Sequence, residues 1–513
     1  MITAFSFGLL ISLASASVDP TGHWFGEATI TRGTWTLQVH VERRPELLAA
    51  EVHILEQDLR YPASIGVEGD SLHFRIESLQ HGTIAFEGTC SGDRIQGTVR
   101  GPSGEHPFAL ARYVEPEAEW PPPPTGWFET PAGEERFVMP RAHGGLSWIS
   151  VDAGSFARGE RLPLAPDRYF RSDESGRRDQ EMNVVRGPEG QAIAIEVRTG
   201  QETERWNRID GPFEAEVVTY PSGDLQMVGL WLKPRSTKAS AVWIHGSGPN
   251  CTREHFYSFY MADHLARRGI AMLLPDKRGC GMSGGDWRSA SIDDLASDAR
   301  AGLTYLRGQG AKRLGLIGFS QGGWILPTAA AGDSELAFVV SLSGGALSWR
   351  ENLAWEMEQM GRSARLDSVQ LAELMHLQEL AMQYGEHRTD EAWSKYREAL
   401  DSALHGSWAG RGVAEGYPKQ SDHWRWRSGA ALAGANEALE RWKAVQSPAL
   451  FLFGEDDTQV PIARTVEALR KALKELDHRI EVFPGSGHAL EDPSTGWIRD
   501  SVFDQIEQWS RKR

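Results

Sequence analysis

Leu314-Gly315-Leu316-Ile317-Gly318-Phe319-Ser320-Gln321-Gly322-Gly323-Trp324-Ile325-Leu326 is the stretch from which the rest of the chain is read. Residues 314–317 are an apolar run of strand length, and Trp324-Ile325-Leu326 with residues 329–331 read as an apolar helix. Between them lies Gly318-Phe319-Ser320-Gln321-Gly322. In a strand, sharp turn, helix context, the serine of Gly-x-Ser-x-Gly is held at a strained turn with its hydroxyl exposed and a helix N-terminus beneath it. The string alone is weak, because 54 of 513 residues are glycine. A second copy, Gly281-Met282-Ser283-Gly284-Gly285, precedes the polar Asp286-Trp287-Arg288-Ser289 and no helix opens at it. Ser320 is the candidate nucleophile; Ser283 is not.

Outward from this stretch, strand-like and helix-like runs alternate from residue 213, the pattern of a parallel sheet wound with helices. Segments 217–220 and 227–232 read as a hairpin leading in. Strands follow at 241–244, 270–274, 314–317, 338–342, 449–453 and 479–483, with helices at 256–267 and 291–306. Ser291 followed by Asp294 resembles a capping box. Residues 348–445 interrupt the alternation with helical periodicity alone, as an inserted cap would. Seven of the 19 tryptophans fall there (Trp349, Trp355, Trp393, Trp408, Trp424, Trp426 and Trp442). Packing of the cap accounts for most of them, and an aromatic roof over a pocket is the sharper alternative. Gly279, Gly281 and Gly284 also fit Gly-x-Gly-x-x-Gly, but no helix begins at the third glycine and no acidic strand end follows, so a tight loop suffices.

A serine hydroxyl needs an imidazole to take its proton and a carboxylate to orient that imidazole. The strand at 449–453 runs into Gly454-Glu455-Asp456-Asp457-Thr458-Gln459-Val460-Pro461, and the strand at 479–483 into Gly485-Ser486-Gly487-His488. His488 is the expected base. Asp457, just before Thr458-Gln459-Val460-Pro461, is the expected acid, with Asp456 as the alternative. Acyl transfer also needs donors for a developing oxyanion. The Gln321 amide, next after the serine, is one. The other is expected after strand 241–244, in His245-Gly246-Ser247-Gly248-Pro249, with the Ser247 amide as candidate and His245 bracing the loop.

Together, His245-Gly-Ser-Gly-Pro, Asp276-Lys-Arg-Gly-Cys-Gly-Met-Ser-Gly, Gly318-Phe-Ser-Gln-Gly-Gly-Trp and Gly485-Ser-Gly-His resemble exported bacterial α/β-hydrolases, both carboxylesterases and the prolyl-oligopeptidase and serine-aminopeptidase branches. The resemblance covers about residues 213–513. It implies a doubly wound α/β sheet with a helical cap at 348–445, and Ser320, Asp457 and His488 as a triad. Oligopeptidases carry a long propeller in front, which this chain does not match, and no cap carboxylate matches the pair that aminopeptidases use for a free amine. The expectation is therefore a serine hydrolase of small-molecule esters, with a peptidase as runner-up and a non-catalytic ligand-binding protein on a hydrolase scaffold as the rival from another class.

Ahead of the hydrolase region, residues 17–114 alternate apolar and polar at period two (Trp35, Leu37, Val39 and Val41, for example), as a small all-β barrel or sandwich of about six to eight strands would. Residues 115–125, with four consecutive prolines, read as an extended linker. Residues 126–212 are polar and rich in Gly and Arg and suggest no fold. Residues 1–16 resemble a signal peptide ending in Ala14-Ser15-Ala16, which predicts export to the periplasm or medium with no stable membrane insertion after its removal. The formal charge of −16, from 54 basic and 70 acidic side chains, repels phosphate backbones and excludes nucleic acid as the expected partner. Cys90, Cys251 and Cys280 form no C-x-x-C pair and no His-Glu-x-x-His run occurs, so neither a metal nor a cofactor is expected. Cys251 with Cys280 is the one thiol pair worth testing.

Overall fold

The computed structural model describes residues 19–30, 33–44, 48–54, 59–78, 82–101, 104–141, 144–152, 155–173, 175–251, 256–414, 417 and 437–511. The segment read as a signal peptide, with Trp424 and Trp426, lies outside them. Period-two alternation in the first hundred residues becomes eight antiparallel strands, β1 (Gly22–Ile30) to β8 (Gly104–Tyr113). Each pairs with the next, and β1 also pairs with β8 to close a barrel. An eight-stranded barrel has an interior just wide enough for side chains. Here Trp24, Leu37, Val52, Phe86 and Leu110, all fully buried, belong to one apolar core, and Phe74 stacks on Phe86 with centroids 4.4 Å apart.

Residues 114–125 hold neither helix nor strand. The segment that suggested no fold is a second eight-stranded closed barrel, β9 (Gly126–Glu129) to β16 (Glu202–Arg208), which includes β10 (Glu135–Pro140) and β11 (Leu146–Asp152). Its strands escape periodicity because their buried positions are not uniformly apolar. In β16 Trp206 alone is buried, and the Arg136 guanidinium lies over the Trp148 and Trp206 rings at 4.3 and 4.4 Å.

The third sheet carries the candidate site. The hairpin β17 (Phe213–Ser222) and β18 (Leu225–Pro234) leads into β19 (Ala239–Ile244), α1 (Phe256–Arg267), β20 (Ile270–Pro275), α2 (Ile292–Gly308), β21 (Leu314–Phe319), α3 (Gly322–Ala330) and β22 (Phe338–Leu342). The cap helices α4 (Trp349–Ser363), α5 (Ser368–His387), α6 (Asp390–His405) and α7 (Ala438–Trp442) follow, and then β23 (Ala449–Gly454), α8 (Ile462–Ala472), β24 (His478–Phe483) and α9 (Asp500–Arg511). Strand order is β17-β18-β20-β19-β21-β22-β23-β24. The pairs from β20 to β24 are parallel, and β17 and β18 are antiparallel additions.

A parallel sheet covered on both faces reads as a continuous apolar run, and alternate residues of each strand enter opposite cores. Val242 and Ile244 join α2 and α3 on one face, and Trp243 joins α1 and α9 on the other. Val339 and Val340, then Phe451 and Leu452, divide the same way. The α1 face also receives Trp127, Phe137, Met139 and Ile149 from β9, β10 and β11, which belong to the same compact unit as this sheet. Among the described residues no helix is long and apolar enough to cross a membrane.

The winding reverses between β19 and β21: β20 lies on one side of β19, and β21 and all later strands on the other. At such a switch point the loops leaving adjacent strand ends diverge and open a crevice. The loop after β19 begins at His245 and the turn after β21 holds Ser320.

Candidate active site

Ser320 sits in the left-handed region at φ 53°, which costs a non-glycine residue about 1–2 kcal/mol. Its neighbours hold it there. The Ser320 amide donates to Leu342 O at the end of β22 (3.0 Å), and the Gly323 amide donates back to Ser320 O (2.9 Å). The flanking glycines make the turn sterically possible. A Cβ on Gly318 would come within 2.9 Å of the Leu326 side chain, and one on Gly323 within 2.6 Å of the Gly344 backbone.

The expected acid and base, Asp457 and His488, lie on the loops after β23 and β24. Asp457 is buried, whereas Glu455 and Asp456 are exposed. Asp457 Oδ1 accepts from the Gln459 and Val460 amides (2.7 and 3.0 Å), and Oδ2 pairs with His488 Nδ1 at 2.7 Å. With Nδ1–H donating to the Asp457 carboxylate, Nε2 is the imidazole nitrogen left with a lone pair. That Nε2 is buried and has no hydrogen-bond partner among the described residues. The two loops meet closely because β23 ends in glycine: a Cβ on Gly454 would lie 2.1 Å from Gly487 O. Arg499 fixes the histidine loop by donating to Ser486 Oγ and Pro484 O, each at 2.6 Å.

Ser320, His488 and Ser247 line one cavity of about 330 Å³, at the small end of ligand pockets. Neither the Ser247 nor the Gln321 amide has an acceptor among the described residues. Gln321 opens α3, where the first amides of a helix have no intrahelical partner. Its side chain does not line the cavity, because Oε1 accepts from Lys277 Nζ at 2.8 Å. His245 braces its loop: Nε2 contacts Pro275 O at 2.6 Å, and Trp243 Nε1 donates to Nδ1 at 3.2 Å. Ser283 is buried with its hydroxyl between backbone groups, accepting from the Val228 amide (2.9 Å) and donating to Asp276 O (2.8 Å). Gly279 and Gly284 are joined by a backbone hydrogen bond of 2.9 Å in a tight loop. Cys251 and Cys280 are buried and form no disulfide, and Cys251 Sγ donates to Asp276 Oδ1. No cluster of His, Cys, Asp and Glu among the described residues is arranged to hold a metal ion.

The cavity roof is α4. Trp349, Asn352, Leu353 and Glu356 line it, at the i, i+3, i+4, i+7 spacing of one helical face. Asn352 Nδ2 donates to Gln459 O (2.9 Å), while its buried Oδ1 has no partner among the described residues. Among the described cap tryptophans Trp349 reaches the cavity, edge-on to Trp324 at 4.9 Å. Trp408 and Trp442 are each 1% exposed inside packed cores. Tryptophan density therefore reflects packing far more than a roof. Asn352, Glu356 and Lys277 went unnoticed in the sequence because nothing in a helical run or a loop motif marks which side chain will face a cavity.

A sheet wound about a switch point, a serine at a left-handed turn and a His–Asp pair on neighbouring loops together define an α/β-hydrolase architecture. The pattern of the Alpha/beta hydrolase family matches residues 241–497, half of the chain. The chain belongs to that family, whose members are typically hydrolytic enzymes. Solved structures similar to it include an esterase of Pyrococcus furiosus (16% identity, covering 58% of this chain and 90% of that one, TM-score 0.38). A proline iminopeptidase of Mycobacterium smegmatis (17%, 58% and 98%, 0.37) and a dienelactone hydrolase of Anabaena variabilis (16%, 58% and 97%, 0.33) are also similar. No curated protein matches the chain.

Proposed function

We propose that the chain is a serine hydrolase that cleaves carboxylic esters through an acyl-enzyme on Ser320. One observation carries this reading: Ser320 and a partner-free imidazole nitrogen, held by a buried carboxylate, share one small cavity. His488 Nε2 takes the Ser320 proton as Oγ bonds to the carbonyl carbon, and Asp457 holds the imidazolium that results. The amides of Ser247 and Gln321 receive the oxyanion. The alcohol leaves with the proton from His488, and a water activated by the same nitrogen releases the acid. The test is labelling with a fluorophosphonate, with the modified peptide located by mass spectrometry. Label on Ser320 that is lost in Ser320→Ala supports the reading; no label on well-folded protein overturns it.

A peptidase is the second reading, favoured by the carboxylate of Glu356 and the unpartnered Asn352 Oδ1 in the roof, two acceptors suited to a protonated amine. A panel of p-nitrophenyl esters beside aminoacyl anilides separates the two. Anilide cleavage far above ester cleavage, lost in Glu356→Gln, establishes the peptidase. We also propose export, on the apolar N-terminal segment; recovery of the protein solely from the cytosol after fractionation overturns it.

A further inference from the structure

We propose that Lys277 is the positioning residue of the oxyanion hole, its buried ammonium group fixing the two peptide segments that carry the Ser247 and Gln321 amides. The inference rests on the serine-hydrolase reading above and concerns what holds that site in register.

Lys277 follows β20, the strand beside β19, and is buried. Its amide donates to Asn250 O at 2.9 Å, joining its backbone to the loop after β19. Nζ donates to Gly246 O (2.8 Å), Gly248 O (3.1 Å) and Gln321 Oε1 (2.8 Å). An ammonium has three N–H donors, and these three acceptors use all of them. Two acceptors lie on the loop bearing Ser247 and the third on the residue after the nucleophile. One side chain thus spans both halves of the proposed hole.

The effect on Ser247 follows from peptide geometry. In a planar trans peptide the C=O and N–H point in opposite directions. With Gly246 O turned toward Nζ, the N–H of the same peptide, that of Ser247, points away from Lys277. Asn250 Nδ2 supports the arrangement, its two N–H groups shared among Gly246 O, Ser247 O and Gly248 O at 3.1, 2.9 and 3.0 Å. Among the described residues Gln321 makes no direct hydrogen bond to this loop, so removing Nζ leaves the relative register of the two amides to the paired ends of β19 and β21. Losing a transition-state donor of this kind costs about 10²–10³ in kcat.

All three acceptors are neutral, and among the described residues no carboxylate pairs with the charge. Burial pulls the Lys277 pKa down from 10.5 to about 8, opposed by the nearby Cys280. The other titratable groups around it are engaged elsewhere. Asp276 accepts from Cys251 Sγ and the Met282 amide, Asp298 pairs with Arg278, and His245 is bound to Pro275 O. Below about pH 8 the ammonium keeps all three bonds; as pH rises through that value Nζ loses a proton and one bond.

The test is steady-state kinetics of the full chain on a p-nitrophenyl ester from about pH 6 to 10, for wild type, Lys277→Met and Lys277→Arg, with fluorophosphonate labelling of wild type alongside. The expected result is a kcat about 10²-fold lower in K277M with KM within about threefold. The alkaline fall in kcat, with a midpoint near pH 8 in wild type, should vanish in K277M and move upward in K277R, whose guanidinium stays charged. A folded K277M with kcat within about threefold of wild type overturns the proposal, as does a wild-type kcat that stays flat above pH 7. Should K277M not fold, the wild-type profile decides alone. Label on Ser320 with a flat profile removes only the role of Lys277; no label removes the serine reading itself.

Discussion

The chain contains Gly-x-Ser-x-Gly twice, and the two copies place their backbone strain on different residues. In the loop after β20 the glycines take the left-handed angles, Gly279 at 72°, Gly281 at 55° and Gly285 at 97°, and Ser283 turns inward to join backbone groups. In the turn after β21 the serine itself takes the left-handed angle, and Gly318 and Gly322 keep the strand and helix close enough to hold it there. A Cβ on Gly322 would lie 3.1 Å from Ile244 O. A five-letter string does not distinguish these outcomes. What distinguishes them is whether a buried strand precedes the serine and an apolar helix follows it.

The sharpest way to break this contrast is to exchange the hydroxyls. Ser320→Ala should remove roughly 10⁴–10⁶ of kcat on p-nitrophenyl esters, whereas Ser283→Ala should leave kcat within about tenfold; comparable losses in both would erase the distinction. Next in size are the carboxylates. Asp457→Asn should lower kcat about 10⁴-fold by favouring the wrong imidazole tautomer, and the exposed neighbour Asp456→Asn should change it little, so equal effects would reassign the acid. The steric half of the contrast is tested by Gly318→Ala. Its methyl presses on Leu326 and shifts the turn, and displacements of this kind cost about 10² in kcat, with the protein still folded by circular dichroism. The smallest effect is on stability. Ser283→Ala strands the Val228 amide and should lower unfolding free energy by about 1–3 kcal/mol in denaturant titration, a cost without a kinetic counterpart.

How far the sequence could be read follows the same physics. The α/β sheet was legible because strands buried on both faces carry unbroken apolar runs, as residues 241–244 of β19 and the six residues of β23 do. The first barrel was legible because one face of each strand is wet, leaving a period of two. The second barrel was not, since some of its strands bury only one or two apolar residues, such as Trp206 in β16 or Met182 and Val184, and Arg141 and Arg161 are buried as well. Periodicity has no signal where arginine occupies interior positions. In the candidate site, Ser320, Asp457 and His488 could be singled out because each stands at a strand end with its own local motif. Glu356 and Lys277 could not, because their places depend on how a cap helix and a neighbouring loop settle over the sheet.

Gln459 links α4 to the loop that carries Asp457. Its amide holds Asp457 Oδ1 and its carbonyl holds Asn352 Nδ2, so the roof and the proposed proton relay meet at one residue. For anyone re-engineering specificity, the cap is therefore not a detachable module. A transplanted cap that lacks a donor at position 352 should alter substrate choice and slow turnover together, and restoring that single amide should recover rate without restoring the original preference.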